Sequence, residues 1–474
     1  MRTFNFLPRV SWAARAWFSV AMMAVMLLLA IGSGPVQANS PPPGIQASAR
    51  WFTDRVDYAG DVGDYAAIAF DPGTGTPWIS YYDATNTALK VAHYVGSGGN
   101  CGPNNDWYCE IVDNSGNVGM YSSIDVHPTD PGPLNTRRIG VAYYDADNSA
   151  LKFAEYSCLP SCQWTIVTVQ DSGSVGAPSY GQYASLKYTA DGKPQIAFYM
   201  ESSMFDDELN YAYRVSSGGN CGVGSAAGKW HCETVDSGNK MGQYTSIGES
   251  DFTGVAHIGY YNGGAGDLKY AYYMGFGGNC GTGNAWYCVT VDGTDGSNVG
   301  RVVSFHAPAN VTDTLQFAYY DATNGRLKYA RNVSGGNCGP GNSFQCDDIE
   351  YIGTGLTQAG ISLALDSYNH PLIAYMSAHV PTGRDLKVAQ PASVLGLPYG
   401  NCGPTPDLFD TWQCTTVDDS GYMLNATYAS IAFDPESDLA MIAYSALTTL
   451  GATDLMIAEQ RLAVYLPLVL KNSP

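Results

Sequence analysis

Polar and apolar residues alternate along this chain in short runs separated by turn chemistry. Tyr121-Ser-Ser-Ile-Asp-Val126 has the period of a half-covered strand. A turn-rich stretch from Pro128 to Asn135 leads into Arg138 to Tyr144, and Asp145-Ala-Asp-Asn148 ends that second run. Leu151 to Tyr156 and Trp164 to Val169 are the third and fourth, and Asp171-Ser-Gly173 turns the chain onward. This unit recurs seven times. Its landmark is an apolar residue, a small residue and an aromatic, at Tyr81, Tyr143, Phe198, Tyr260, Tyr319, Tyr375 and Tyr444, roughly 55 to 70 residues apart. No helical period appears beyond the N-terminal apolar stretch. Four short strands per repeat, joined by Gly, Asn and Asp turns, predict an all-β, seven-bladed β-propeller with four antiparallel strands per blade.

The chain ends test this expectation. In five repeats the fourth strand opens on an aromatic two residues before a cysteine: Trp107, Trp230, Trp286, Phe344 and Trp412. The last repeat has its first three strands and stops. The missing strand stands at the other end as Trp51 to Asp57, with Thr53 in the cysteine position. The N-terminal strand therefore completes the seventh blade and removes an exposed sheet edge. Loops after the second and fourth strands then share one face, and loops after the first and third share the other.

Cysteine, charge and the N-terminus narrow the setting. Twelve cysteines fall into six local pairs, Cys101-Cys109, Cys158-Cys162, Cys221-Cys232, Cys280-Cys288, Cys338-Cys346 and Cys402-Cys414. An even count with one pair per repeat points to disulfides, since the pairs do not converge four at a time as a zinc site requires. Residues 1–38 read as a secretory signal: Arg2, Arg9 and Arg15 precede the apolar core Phe18 to Ile31, and Val36-Gln37-Ala38 is a small-residue cleavage site. The expected organisation is signal peptide 1–38, Pro-rich linker 39–48, propeller 49–461 and apolar tail 462–474. Formal charge is -20, and losing the leader's three arginines makes it -23. So acidic a surface excludes a nucleic-acid binder driven by phosphate contacts. A secreted or surface-associated monomer without a membrane span in the mature chain is the expectation.

Ile196-Ala-Phe-Tyr199, Tyr319-Tyr-Asp-Ala322 and Leu327-Lys-Tyr-Ala330 resemble the repeats of secreted bacterial β-propellers loosely grouped with sialidase-like proteins. The resemblance implies the fold. True sialidases carry Asp boxes, Ser-x-Asp-x-Gly-x-Thr-Trp, after a third strand, and are usually six-bladed. Asp71-Pro-Gly-Thr-Gly-Thr-Pro-Trp78 has other spacing and follows a first strand. The tail Tyr465 to Lys471 resembles short C-terminal tails of exported proteins from filamentous bacteria, used for sorting or packed as an extra β segment.

Candidate chemistry is sparse. There is no His-Glu-x-x-His, phosphate loop or Gly-x-Ser-x-Gly elbow, so no catalytic residues are assigned. The repeated aromatics suit the core between blades. Acids close the second strand at Asp83, Asp145 and Asp321, and others follow the fourth at Asp57, Asp113, Asp171, Asp236, Asp292 and Asp418. They read as turn caps, with calcium as the alternative ligand of such a ring. Lys90, Lys152 and Lys328 on the third strand accompany Asp83, Asp145 and Asp321, while repeats three and seven lose acid and base together, which suggests a cross-hairpin pair. On the innermost strand a small residue recurs at Ala67, Ser123, Ser185, Ser246, Ser304, Ser362 and Ser430. Two positions on, the copies diverge: Asp125, Lys187 and His306 stand out as an axial binding pocket, or as an Asp125–Lys187 bridge between blades.

These features point to an exported, non-catalytic propeller that binds a glycan, peptide or protein. The alternatives are a sialidase-like glycoside hydrolase or lyase with a non-standard site and a calcium-stabilised adhesin.

Overall fold

The computed structural model describes residues 48–463, except 129–137, 159–160, 174–177, 204–205, 249–254, 308–313, 357–359, 380–382, 404–411, 420–427 and 448–450. The expected signal segment 1–38 and the tail run Tyr465 to Lys471 lie outside the described residues.

Seven four-stranded antiparallel sheets make up the fold. Blade one runs Val62–Phe70, Pro77–Asp83, Ala88–Tyr94 and Trp107–Asp113, in spatial as in chain order. Its second strand is buried at every position, because neighbouring blades cover both faces. Alternation therefore fades from second strands and survives on first ones. The first strands of successive blades adjoin, and that of blade one packs on that of blade seven, so the ring is closed. Blade seven takes Ala429–Phe433, Ala440–Leu447 and Thr453–Ala463 from one end of the chain and Ser48–Asp57 from the other. Thr53 lies opposite Ala458, the register at which Cys109, Cys232, Cys288, Cys346 and Cys414 face alanines.

All six predicted disulfides are present. In five hairpins an asparagine before the first cysteine clamps the second. Asn100, for example, donates to the Cys109 carbonyl at 2.8 Å and accepts its N–H at 2.7 Å. Asn220, Asn279, Asn337 and Asn401 repeat the clamp. Cys158–Cys162 differs: Ile166 occupies the cysteine register, and the bridge forms before the fourth strand begins. The face carrying these hairpins is called the cystine face below, and the opposite one the turn face.

Blades are joined at three radii. Innermost, the serine hydroxyls accept backbone N–H groups from the next blade: Ser123 from Leu186, Ser185 from Ile247, Ser246 from Phe305, Ser304 from Leu363, Ser362 from Ile431 and Ser430 from Ile68, at 2.8–3.1 Å. The small residues thus do more than fit a narrow space; they satisfy the inner edge of the neighbouring sheet. Ala67, without a hydroxyl, is the exception.

At middle radius every fourth strand carries one bulged residue: Val56, Val112, Val169, Val235, Val291, Ile349 or Val417. The residue after the bulge reaches the next blade. Asp57, Asp113, Asp236, Asp292, Glu350 and Asp418 accept the phenol O–H of Tyr81, Tyr143, Tyr260, Tyr319, Tyr375 and Tyr444 at 2.6–2.7 Å. Five of these carboxylates also hold Lys90, Lys152, Lys269, Lys328 and Lys387. Each ammonium lies 5.5–6.0 Å from the centre of its tyrosine ring. Outermost, the freed carbonyls of Val56, Val169 and Ile349 accept the N–H of Gly102, Gly222 and Gly403 in the next blade's cystine hairpin, at 2.7–2.9 Å.

This geometry corrects the cross-hairpin pairing. Asp83 and Asp145 lie 3.6 and 3.8 Å from Lys90 and Lys152, but each lysine's short partner comes from the preceding blade. Lys269 and Lys387 persist in hairpins that carry Asn262 and Ser377 in place of the turn acid, because Asp236 and Glu350 hold them. Asp83, Asp145 and Asp321 cap their own turns through Asn86, Asn148 and Asn324. Between blades two and three the set is lost whole. The register position is Gln170, one residue before Asp171, and it faces a blade carrying Phe198 and Asn210.

Burial pushes the Asp57 and Asp113 carboxyls up, but Lys90 and Lys152, then the tyrosine hydroxyls, outweigh it and hold both below the usual range. Burial, then the facing carboxylate, raises the tyrosines far above theirs, so they remain donors. Tyr319→Phe should cost about 1.5–3 kcal/mol in chemical denaturation, as for other hydrogen bonds to charged groups. Carboxylates with lowered folded pKa values stabilise above their unfolded pKa, and that stability is lost as pH falls through the folded value. The melting temperature should therefore drop below about pH 4, and drop less steeply in Asp57→Asn/Asp113→Asn, which starts lower at neutral pH.

Candidate functional site

The predicted axial residues sit at the cystine-face end of the inner strands. Lys187 Nζ lies 3.3 Å from Asp125 Oδ1, and the Tyr188 N–H donates to Asp125 Oδ2 at 2.7 Å. Asp125 thus adds one rung to the serine ladder between blades two and three. Burial raises its pKa, partly opposed by Lys187. His306 holds the same register on blade five, opposite Gln316. None of the three lines the axial cavity of about 250 Å³, which lies toward the start of these strands. Its wall is an arc of Tyr428, Tyr65, Tyr121, Tyr183 and Tyr244, with neighbouring ring centres 4.3–4.7 Å apart. Val302 and Gly360 occupy the two remaining places. Among the described residues no group of three or more His, Cys, Asp or Glu is arranged to hold a metal ion.

Comparing blades shows where the copies differ most. On the turn face the Tyr, Lys and acid set recurs. Three register positions away, toward the cystine face, the facing pair on strands two and three is Trp78/His93, Gly140/Glu155, Gln195/Tyr213, His257/Tyr272, Gln316/Arg331 or Met441/Glu459. Several of these serve packing. Trp78 stacks on His93 at 4.2 Å, and burial lowers the His93 pKa to about 4. Glu155 takes both Arg214 nitrogens, at 2.7 and 2.9 Å, and the Tyr188 hydroxyl.

Gln195/Tyr213 instead lines a cavity of about 470 Å³ between blades three and four. Tyr211 and Tyr213, two apart on one strand, point the same way into it. Their ring centres are 5.6 Å apart, and Tyr211 also meets Trp286 edge-on at 5.3 Å. Tyr273 of blade four closes the wall, itself edge-on to Trp286 at 5.3 Å. Glu233 accepts the Trp286 indole N–H at 3.0 Å, and burial holds its carboxyl above the usual range. The rim is the loop from Thr189 to Lys193, braced by the Lys193–Asp191 ion pair at 2.8 Å and the Thr189 hydroxyl. Aromatic walls with one amide, one carboxyl and a charged rim suit a ring-shaped, hydroxyl-rich ligand. Sequence reading did not single out Tyr211, Tyr213, Glu233 or Tyr273. The signal that finds them is disagreement between copies on the third strand, combined with cross-strand register.

No family model matches this chain, and no curated protein matches it. Solved structures align along most of this chain at low identity. A protein of unknown function from Dyadobacter fermentans is 9% identical, over 89% of this chain and 100% of that one, with a TM-score of 0.45. The polysaccharide lyase Uly1 is 11% identical, over 91% and 93%, with a TM-score of 0.44. A leech intramolecular trans-sialidase is 11% identical, over 87% and 68%, with a TM-score of 0.34.

Because the charged form of Glu233 carries a burial penalty at neutral pH, Glu233→Gln should leave the melting temperature at pH 7 unchanged or raise it. The amide oxygen still accepts the Trp286 N–H. A clear loss of stability would show that the carboxylate itself is required.

Proposed function

We propose that this protein is an exported, disulfide-pinned, non-catalytic propeller that captures a saccharide on its cystine face, in the cavity between blades three and four. One observation carries the reading: Tyr211, Tyr213 and Tyr273 wall a space of about 470 Å³ whose polar groups are Glu233, Gln195 and Thr189, with Asp191 and Lys193 at the rim. Sugar rings present apolar C–H faces to aromatics and hydroxyls to such groups. Asp125, Lys187 and His306 lie on the same face, and Lys187 leads directly into the rim loop. In this reading they flank the bound ligand on its axial side. Export rests on the leader sequence and agrees with six disulfides.

A second reading has one observation in its favour. Glu233 is shifted up by burial, and Asp191 down by its hydrogen bonds to Lys193 and Thr189, the divergence an acid/base pair shows. Glu233 is committed to an indole, however, and Asp191 to a lysine on an exposed rim.

A glycan array followed by calorimetry tests both. Wild-type protein should bind one saccharide class, Tyr213→Ala should bind about tenfold more weakly (about 1.4 kcal/mol) with unchanged melting, and no new reducing ends should appear. Absence of binding across the array overturns the first reading. Turnover abolished by Glu233→Gln establishes the second.

A further inference from the structure

The cavity wall does not stop at Tyr273. Tyr273 is 39% exposed, Met274 42% and Phe276 84%, an apolar strip over four residues that runs out along the cystine hairpin of blade four. Corresponding hairpins carry Ser97 in blade one and Ser217 in blade three where this one carries Phe276. The backbone is the same: Gly275 and Gly277 have φ of 78° and 76°, as Gly96 and Gly98 have 74° and 76° around Ser97. A serine therefore suffices for the hairpin, and the phenylalanine has no packing role at its tip. The tip is also held rigid. Met274 N–H and Gly275 N–H donate to the Ala285 carbonyl at 2.8 and 3.1 Å, Gly278 N–H to Asn284, and Cys280–Cys288 closes the base. With the backbone fixed before binding, only the two side-chain torsions of Phe276 are left to order when a ligand stacks on its ring.

We propose that the blade-four hairpin is a second sugar subsite, with Phe276 stacking on the residue next to the one in the cavity, so that the ligand is an oligosaccharide or polysaccharide chain of at least two units. This rests on the saccharide reading above and adds chain length to it. One end of the strip is the cavity wall itself, since Tyr273 belongs to both. The other end, Phe276, lies outside the cavity, where a monosaccharide seated against Tyr211 and Glu233 leaves it uncovered.

The test uses an array of matched mono-, di-, tri- and hexasaccharides in each common linkage, probed with the full-length exported protein, with Phe276→Ser and with Tyr213→Ala. Phe276→Ser installs the residue of the sister hairpins, and its melting curve should overlay that of wild type. Wild-type affinity should rise about tenfold from mono- to trisaccharide, an increment within the range of one aromatic stacking contact. Phe276→Ser should keep the monosaccharide affinity and lose most of that rise, whereas Tyr213→Ala should weaken every length alike. Equal wild-type affinity for all lengths, or an unchanged rise in Phe276→Ser, overturns the second subsite while leaving the cavity standing. Absence of binding at every length overturns both.

Discussion

One extra residue in the outermost strand of each blade organises the contacts between blades. A bulge frees the carbonyl of the bulged residue from its own ladder and turns the following side chain outward. At Val56 the freed carbonyl receives the next blade's hairpin glycine, and the carboxylate that follows, Asp57, receives Tyr81 and Lys90. Backbone and side chain are aimed at the neighbour by the same kink. The tyrosine then fills the wedge with its hydroxyl satisfied, which is how Tyr81, Tyr143, Tyr260, Tyr319, Tyr375 and Tyr444 are buried without an orphaned donor.

The seam between blades two and three shows what happens when the rule is broken. Gln170 stands at the carboxylate register, and neither Phe198 nor Asn210 offers it a hydroxyl or an ammonium. Charge is then handled elsewhere on the same seam, by Glu155 with Arg214 near the cystine face and by Asp125 with Lys187 near the axis. Blade three keeps the Ser123 and Val169 contacts to blade two that its sisters have, but lacks the carboxylate set at middle radius. The same blade, on its other side, has the room that the Tyr211 cavity occupies.

The ring was legible in the sequence because strand period, turn chemistry and the shared cysteine position all repeat with the blade. The missing seventh fourth strand could be located for the same reason, through Thr53. Contacts between blades were only half legible. Joint loss of acid and lysine in repeat three was visible, but the partner was assigned within one hairpin, because register across blades leaves no local trace. Asp171 looked like the relative of Asp113, yet one residue of shift puts Gln170 there instead; Glu350 escaped by being a glutamate. The cavity was invisible for another reason. Tyr211 and Tyr213 are ordinary strand residues in isolation, and only the packing of blade four opposite them leaves their rings a space.

The closing strand has a consequence for how the chain acquires its shape. Six blades can zip up from neighbouring segments, each with its own bridge. Blade seven joins Arg55 to Asp454, 399 positions away, and has no disulfide to help. Loop-closure cost grows only slowly with such a span, so the finished ring is not penalised heavily. The delay is what matters. The strand synthesised first waits unpaired until the strand synthesised last arrives, and for that interval the growing arc shows a bare sheet edge at each end. A productive closure requires those two edges to stay apart from other copies until they meet each other.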